Sequence, residues 1–188
     1  MRFAIPLLLL ASGCGAAQTG QVVQRPAPLE EERPMLVIAH RGAMGTRPEN
    51  TMSAFRRAAE VGADMIELDV QLTRDGGLVV FHDETLERTS DGEGRIQDHG
   101  VEALQALDAG SWYDDAYAGE RIPTLDEVLA WSRGRIRLNV ELKVEGDEEH
   151  ARSLARAASE ASQRQEVSAE TVISAFDDAA VAEAARLD

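Results

Sequence analysis

Three short apolar runs that each carry polar residues limit the folds open to this chain. Two of the runs end in His40 and His82, and the third carries Glu67 and Asp69 two positions apart. Continuous apolar runs of this length are typical of buried strands in a parallel sheet. Because parallel α/β folds place their chemistry at the carboxyl ends of their strands, the three runs predict a single polar rim.

Strands and helices alternate along the rest of the chain, which indicates an α/β fold. Strands are predicted at residues 36–39, 65–72, 78–81, 136–143 and 171–175, and helices at residues 53–60, 124–132 and 147–164, with a last helix from Asp177. The turn between the second and third strands is too short for a crossover helix between parallel neighbours.

Residues 83–121 break this alternation and are rich in Gly, Asp and Glu. They are predicted to be an insertion on the strand-end rim. The segment also contains Trp112, Tyr113 and Tyr117. These aromatic side chains are expected to form the insertion's own small core, with a cation–π site for a substrate cation as the alternative.

Charge restricts the class of partner. The formal net charge of -15 in 188 residues argues against binding to nucleic acid, because a phosphate backbone would be repelled. A small anionic substrate is still compatible with this charge if a local cation or a metal neutralises it. The length suits one ordinary domain.

The N-terminal residues predict export and attachment to a membrane. A positive start, an apolar stretch and small residues before Cys14 are typical of a signal peptide over residues 1–13. The sequence Leu-Ala-Ser-Gly-Cys resembles the lipobox of bacterial lipoproteins, which implies a lipid anchor on Cys14 in the bacterial cell envelope. An ordinary signal peptide with an incidental cysteine is the alternative. Residues 14–34 are predicted to be a flexible tether, and residues 35–188 the folded domain.

Carboxylates on two of the predicted strands are candidate metal ligands. Glu67 and Asp69 share one strand face, and Glu141 shares a face of a later strand with Lys143. Three carboxylates near a rim suit a hard cation such as Ca²⁺ or Mg²⁺. In the alternative, Glu67 pairs with Arg41 and Glu141 with Lys143 as structural salt bridges, and spacing alone does not separate the two interpretations.

The two strand-end histidines are candidate catalysts. His40 and His82 could be metal ligands, a general acid and base, or hydrogen-bonded core residues. Their position at strand ends, each followed by a charged residue, favours catalysis. An acid and a base beside a metal would suit cleavage of a phosphate ester, with Arg41 or Lys143 stabilising charge on the phosphoryl oxygens.

A set of short motifs connects these candidates to a known family. The motifs are His-Arg-Gly at 40–42, Pro-Glu-Asn-Thr at 48–51, Gly-Ala-Asp at 62–64, Glu-Leu-Asp-Val at 67–70, Thr-Arg-Asp-Gly at 73–76, Val-Val-Phe-His-Asp at 79–83, Thr-Leu-Glu-Arg-Thr at 85–89, Ile-Pro-Thr-Leu at 122–125 and Glu-Leu-Lys at 141–143. In order and spacing, over about residues 36–176, they resemble the glycerophosphodiester phosphodiesterase family.

The resemblance implies a TIM (β/α)8 barrel with an insertion after the third strand. A full barrel has eight strands and about 250 residues, whereas five strands are predicted here. The expectation is therefore a partial barrel from a truncated sequence, or a half-barrel completed by a partner or a second copy.

The resemblance also implies metal-dependent hydrolysis of a glycerophosphodiester to sn-glycerol 3-phosphate and an alcohol. The glycerol 2-hydroxyl of the substrate would attack phosphorus, and water would open the resulting cyclic phosphate. The implied roles are metal ligation by Glu67, Asp69 and Glu141, acid–base catalysis by His40 and His82, phosphate binding by Arg41 and Lys143, and support from Glu49 and Asp83.

Two other functions are kept as alternatives. One is a non-catalytic, membrane-anchored protein that binds Ca²⁺ or a phospholipid headgroup. The other is a related phosphodiesterase that acts on lysophospholipids.

Overall fold

The computed structural model describes residues 35–187, so the predicted signal peptide, Cys14 and the predicted tether lie outside the described residues. The strands are β1 (Ile38–Ala39), β2 (Met65–Leu72), β3 (Leu78–Val80), β4 (Arg137–Leu142) and β5 (Thr171–Ala175). The α-helices are α1 (Met52–Glu60), α2 (Val101–Gln105), α3 (Leu125–Ser132), α4 (Glu148–Arg164) and α5 (Asp178–Leu187). Within residues 35–187, none of the helices has both the length and the apolar character needed to cross a bilayer.

Four of the strands form a parallel sheet in the order β1, β2, β4, β5. Helix α1 connects β1 to β2, and α4 connects β4 to β5, as expected for successive βα units. The main apolar core lies between the sheet and α1, α3, α4 and α5. On β2, Ile66, Leu68 and Val70 pack into this core, so Glu67 and Asp69 alternate to the opposite face.

Strand β3 runs in the opposite direction from its neighbour. It pairs antiparallel with the end of β2, with Val70 opposite Val80. All five predicted strands are present, but the expectation that β3 is parallel was wrong. Residues 73–77 are long enough only for a tight turn, in which Gly76 adopts a φ of 80° that glycine tolerates best.

The segment at residues 83–121 has a small core of its own with β3. Its buried members are Val79, Phe81, Leu86, Ile96, Leu104, Ala109 and Ile122. The expected aromatic core is wrong, because Trp112 and Tyr113 are 39% and 36% exposed and stack edge to face at the surface. The Arg47 guanidinium lies 5.4 Å from the centre of the Tyr117 ring, so the segment contacts the loop after β1.

Strands β1 and β5 are the outer strands of the parallel sheet. Within residues 35–187, no further strand pairs with the outer edge of either one. Apolar side chains are exposed along both, including Ile38 and Val172. The described sheet is therefore an arc of a barrel wall and not a closed barrel.

Candidate active site

The strand ends meet at one level of the sheet. The register pairs Asp69 with Glu141 on β2 and β4, and it places the residue after β1, His40, beside Glu67. The antiparallel return of β3 brings His82 to the same level, because the Phe81 amide donates to the Asp69 carbonyl at 2.9 Å. One rim therefore collects polar side chains from four strands.

Three carboxylates form the centre of this rim. Glu67, Asp69 and Glu141 each offer an oxygen within 4.8 Å of the others. Glu67 and Asp69 are buried, and Glu141 is partly buried. Oxygen Oε2 of Glu67 accepts a hydrogen bond from the Arg41 backbone amide at 2.8 Å, but its buried Oε1 has no hydrogen-bond partner.

A buried carboxylate oxygen without a partner is costly. A divalent cation with oxygen ligands would satisfy it and would offset the repulsion among the three charges. Burial, together with the neighbouring charges of Asp69 and Glu141, raises the pKa of Glu67 from 4.5 to about 7 against the lowering effect of Arg41. The residues present therefore fit a site for a divalent cation.

Arg41 and Lys143 add positive charge beside the carboxylates. The Arg41 Nη1 donates to Glu49 Oε1 at 2.8 Å, and its Nε lies 3.3 Å from Asp69 Oδ2. The Lys143 Nζ lies 3.1 Å from Glu141 Oε1 and 3.9 Å from Asp69 Oδ1. Of the two salt bridges considered as the alternative to a metal site, the one between Lys143 and Glu141 forms, whereas the Arg41 side chain pairs with Glu49 and Asp69 and not with Glu67.

The loop after β1 has an unusual backbone. Arg41 has a φ of 49°, in the left-handed region that side-chain-bearing residues rarely occupy, and Gly42 follows with a φ of 76°. A Cβ on Gly42 would lie 2.8 Å from Ala54 on α1. This tight packing holds the Arg41 amide over Glu67, and strained backbone of this kind is common at functional sites.

The two histidines have different surroundings. His82 Nδ1 lies 2.6 Å from Asp83 Oδ1, and its Nε2 lies 3.4 Å from Lys143 Nζ. Since an ammonium group can only donate, this arrangement places the proton of neutral His82 on Nδ1. His40 is 58% exposed at its side chain, with Nε2 3.7 Å from Glu67 Oε2.

Asp83 is suited to hold the His82 ring because it is a stable anion. Hydrogen bonds from Arg88, together with the hydrogen bond from His82, lower the pKa of Asp83 to about 2 against the opposing effect of burial. The structure thus brings together all nine site residues predicted within the described part of the chain.

Three residues outside the predicted set support these side chains. Asn50 Nδ2 donates to Asp69 Oδ2 at 2.8 Å. Gln71 Nε2 donates to the carbonyl oxygens of Phe81 and Asp83 at 2.9 and 2.7 Å, on either side of His82. Arg88 bonds both Glu49 and Asp83. Strand alternation from Glu67 and Asp69 could have identified Gln71, whereas Arg88 has no periodic relation to its partners.

An α/β barrel wall with carboxylates, cationic side chains and two imidazoles at its carboxyl rim is typical of the functional face of a TIM-barrel domain. The model of the Glycerophosphoryl diester phosphodiesterase family matches residues 40–184. The chain belongs to that family, and the prediction of a partial TIM (β/α)8 barrel is confirmed.

Relatives in the family are similar over about half of this chain. The chain is 55% identical over 109 residues to a glycerophosphodiester phosphodiesterase of Caldanaerobacter subterraneus, a match covering 57% of this chain and 45% of that protein. A glycerophosphodiester phosphodiesterase of Bacillus subtilis is 47% identical over 103 residues, covering 50% of this chain and 35% of its own length. The chain therefore spans less than half the length of these curated relatives.

Solved structures agree on the fold. A phosphodiesterase of Oleispira antarctica in complex with the product sn-glycerol-3-phosphate superimposes with a TM-score of 0.76 at 37% identity. A glycerophosphodiester phosphodiesterase of Agrobacterium tumefaciens gives a TM-score of 0.72 at 36% identity. Each match covers 81% of this chain and 62% of the solved chain.

Proposed function

We propose that the chain hydrolyses glycerophosphodiesters to sn-glycerol 3-phosphate and an alcohol, using Ca²⁺ or Mg²⁺ held by Glu67, Asp69 and Glu141. The observation that carries the proposal is the convergence of three carboxylates, two cationic side chains and two imidazoles at one rim. Membership of the family supports it, as does the product named for the Oleispira relative.

The cationic side chains would bind the phosphate. Arg41 and Lys143 both lie within 4 Å of Asp69, so their charges face the same point as the carboxylates. Each can donate to a non-bridging phosphoryl oxygen, where negative charge increases during displacement. A bound divalent cation would supply further neutralisation of those oxygens.

The histidines would move the protons. Asp83 holds Nδ1 of His82, so Nε2 is left toward Lys143 and the rim, where it can take or give a proton. His40 presents an exposed ring beside Glu67. One imidazole would take the proton of the attacking hydroxyl, and the other would give a proton to the departing alkoxide.

The proposal predicts cation-dependent release of glycerol 3-phosphate. We expect the full chain to release it from glycerophosphocholine with Ca²⁺ or Mg²⁺, and excess EDTA to reduce release to background, because the carboxylates would then repel the substrate anion. A coupled glycerol-3-phosphate dehydrogenase assay measures the product, and renewed addition of the cation is the control. Stabilisation by cation with no turnover of several headgroup esters would instead indicate a binding protein.

We also propose that the chain is exported and anchored to a bacterial membrane through lipid on Cys14. Support comes from the lipobox-like sequence alone. In bacteria given radiolabelled palmitate, the wild-type chain is expected to carry the label and to sediment with membranes, and Cys14→Ser is expected to lose both properties. Labelling that survives in Cys14→Ser would contradict the anchor.

A further inference from the structure

Arg88 lies in the segment after β3 and bonds two carboxylates at once. Its Nη1 and Nη2 donate to the two oxygens of Glu49 at 3.0 and 2.7 Å. Its Nη2 also donates to Asp83 Oδ1 at 2.9 Å, and its Nε bonds Asp83 Oδ2. Both carboxylates are therefore held by the fork of a single guanidinium.

Each of these carboxylates also holds a second side chain at the rim. Glu49, which is 7% exposed, accepts a hydrogen bond from Arg41 at 2.8 Å. Asp83 accepts one from His82 at 2.6 Å. A continuous chain of contacts therefore joins the Arg41 side chain, after β1, to the His82 imidazole, after β3. The two residues are 41 positions apart in the sequence, and Arg88 lies at the centre of the contacts.

We infer that Arg88 is a positioning residue, which fixes the Arg41 guanidinium and the His82 imidazole relative to each other through Glu49 and Asp83. The inference rests on the proposed function for its catalytic consequence. Arginine suits this position because its planar guanidinium offers five N–H donors in fixed directions. A lysine ammonium is a compact charge and cannot donate to both carboxylates with the same geometry.

Loss of Arg88 would release both ends of this contact chain. Asp83 could then rotate away from Nδ1 of His82, and the buried Glu49 would keep Arg41 as its one cationic partner among the described residues. Small misplacements of catalytic groups cost about 10- to 100-fold in rate. The kcat should fall because His82 loses its fixed orientation, and KM should rise because Arg41, which binds the substrate phosphate, loses its fixed position.

The kinetic test compares Arg88→Met and Arg88→Lys with Arg133→Met in the full chain. Arg133 is a matched control, because it is 53% exposed and forms one ion pair, with Glu166, near the amino end of β4. Both Arg88 variants are expected to lower kcat about 10- to 100-fold and to raise KM, while Arg133→Met matches wild type in both. Wild-type kcat in Arg88→Lys would overturn the inference, because charge alone would then suffice.

A double variant separates positioning from a general structural effect. If Arg88 acts through Asp83, the loss in Arg88→Met/Asp83→Asn is expected to be smaller than the product of the two single losses. Losses that multiply would contradict the inference. Circular dichroism of each variant checks folding. Arg88→Lys serves as a milder variant because it retains a positive charge beside Glu49.

Imidazole ¹⁵N NMR gives a reading that does not depend on turnover. Wild-type His82 is expected to show the tautomer protonated at Nδ1, and Arg88→Met a mixture of tautomers, with His82→Gln used to assign the signal. An unchanged tautomer in Arg88→Met would overturn the inference. A wild-type chain without turnover would count against the proposed function, and the NMR result would still decide the role of Arg88.

Discussion

Raising the pH from about 5 to about 8 is expected to destabilise the cation-free chain, and Ca²⁺ or Mg²⁺ is expected to reverse the loss. The cause is Glu67, whose pKa burial raises from 4.5 to about 7. Between these pH values the folded chain keeps a proton on Glu67 that the unfolded chain has lost. The free energy of unfolding therefore falls as the pH rises through this window, by about 3 kcal/mol in total for this group.

The cation acts in the opposite direction because it binds the deprotonated carboxylate. Its binding releases the proton, so its affinity should increase until the pH exceeds about 7. A cation present at about 100 times its dissociation constant adds about 2.7 kcal/mol of stability. The increase in stability on adding cation should therefore be larger at pH 8 than at pH 5.

Urea unfolding followed by circular dichroism, with EDTA and then with cation, measures both effects. Glu67→Gln keeps the shape of the side chain without its charge, and it is expected to flatten this part of the pH profile and to remove most of the response to cation. Glu183→Gln is the control, since Glu183 is a buried carboxylate on α5 that pairs with Arg186 away from the rim. A full cation response in Glu67→Gln would contradict the assignment of Glu67 as a ligand.

The strand pattern predicted most of the rim because the chemistry follows the strand ends. β2 and β5 begin and end at the predicted residues, since their apolar runs are bounded by clear turn signals. The direction of β3 could not be derived from its run, because Leu78–Val80 is equally apolar in either direction. Only the short connection at residues 73–77 bore on the direction of β3. It is too short for a crossover helix between parallel neighbours, but its length alone did not identify an antiparallel pair.

Contacts between distant parts of the chain were the least predictable part of the site. The alternative to a metal site paired Glu67 with Arg41 as a salt bridge, but the Arg41 backbone amide contacts Glu67 and the guanidinium pairs with Glu49 and Asp69. Arg88 reaches Glu49 over 39 residues. No periodicity links such pairs, since the path of the segment after β3 decides which side chains meet.

His40→Ala and His82→Ala are each expected to lower kcat for glycerophosphocholine by about 10³-fold, which is within the usual contribution of a positioned acid or base. His99→Ala is the control, because His99 bonds the Glu93 carbonyl in the segment after β3 and no residue of the rim. Since the phosphate would still be bound by Arg41 and Lys143, KM should change little in either rim variant.

The p-nitrophenyl ester of glycerol 3-phosphate distinguishes the acid from the base. Its leaving group departs without a proton, so a variant that lacks the general acid should recover most of its rate on this ester, while a variant that lacks the base should not. We therefore expect recovery in one of His40→Ala and His82→Ala and not in the other. Recovery in both, or in neither, would show that the two imidazoles do not divide the proton transfers between them, although their surroundings differ: Asp83 holds the His82 ring, whereas the His40 side chain is 58% exposed.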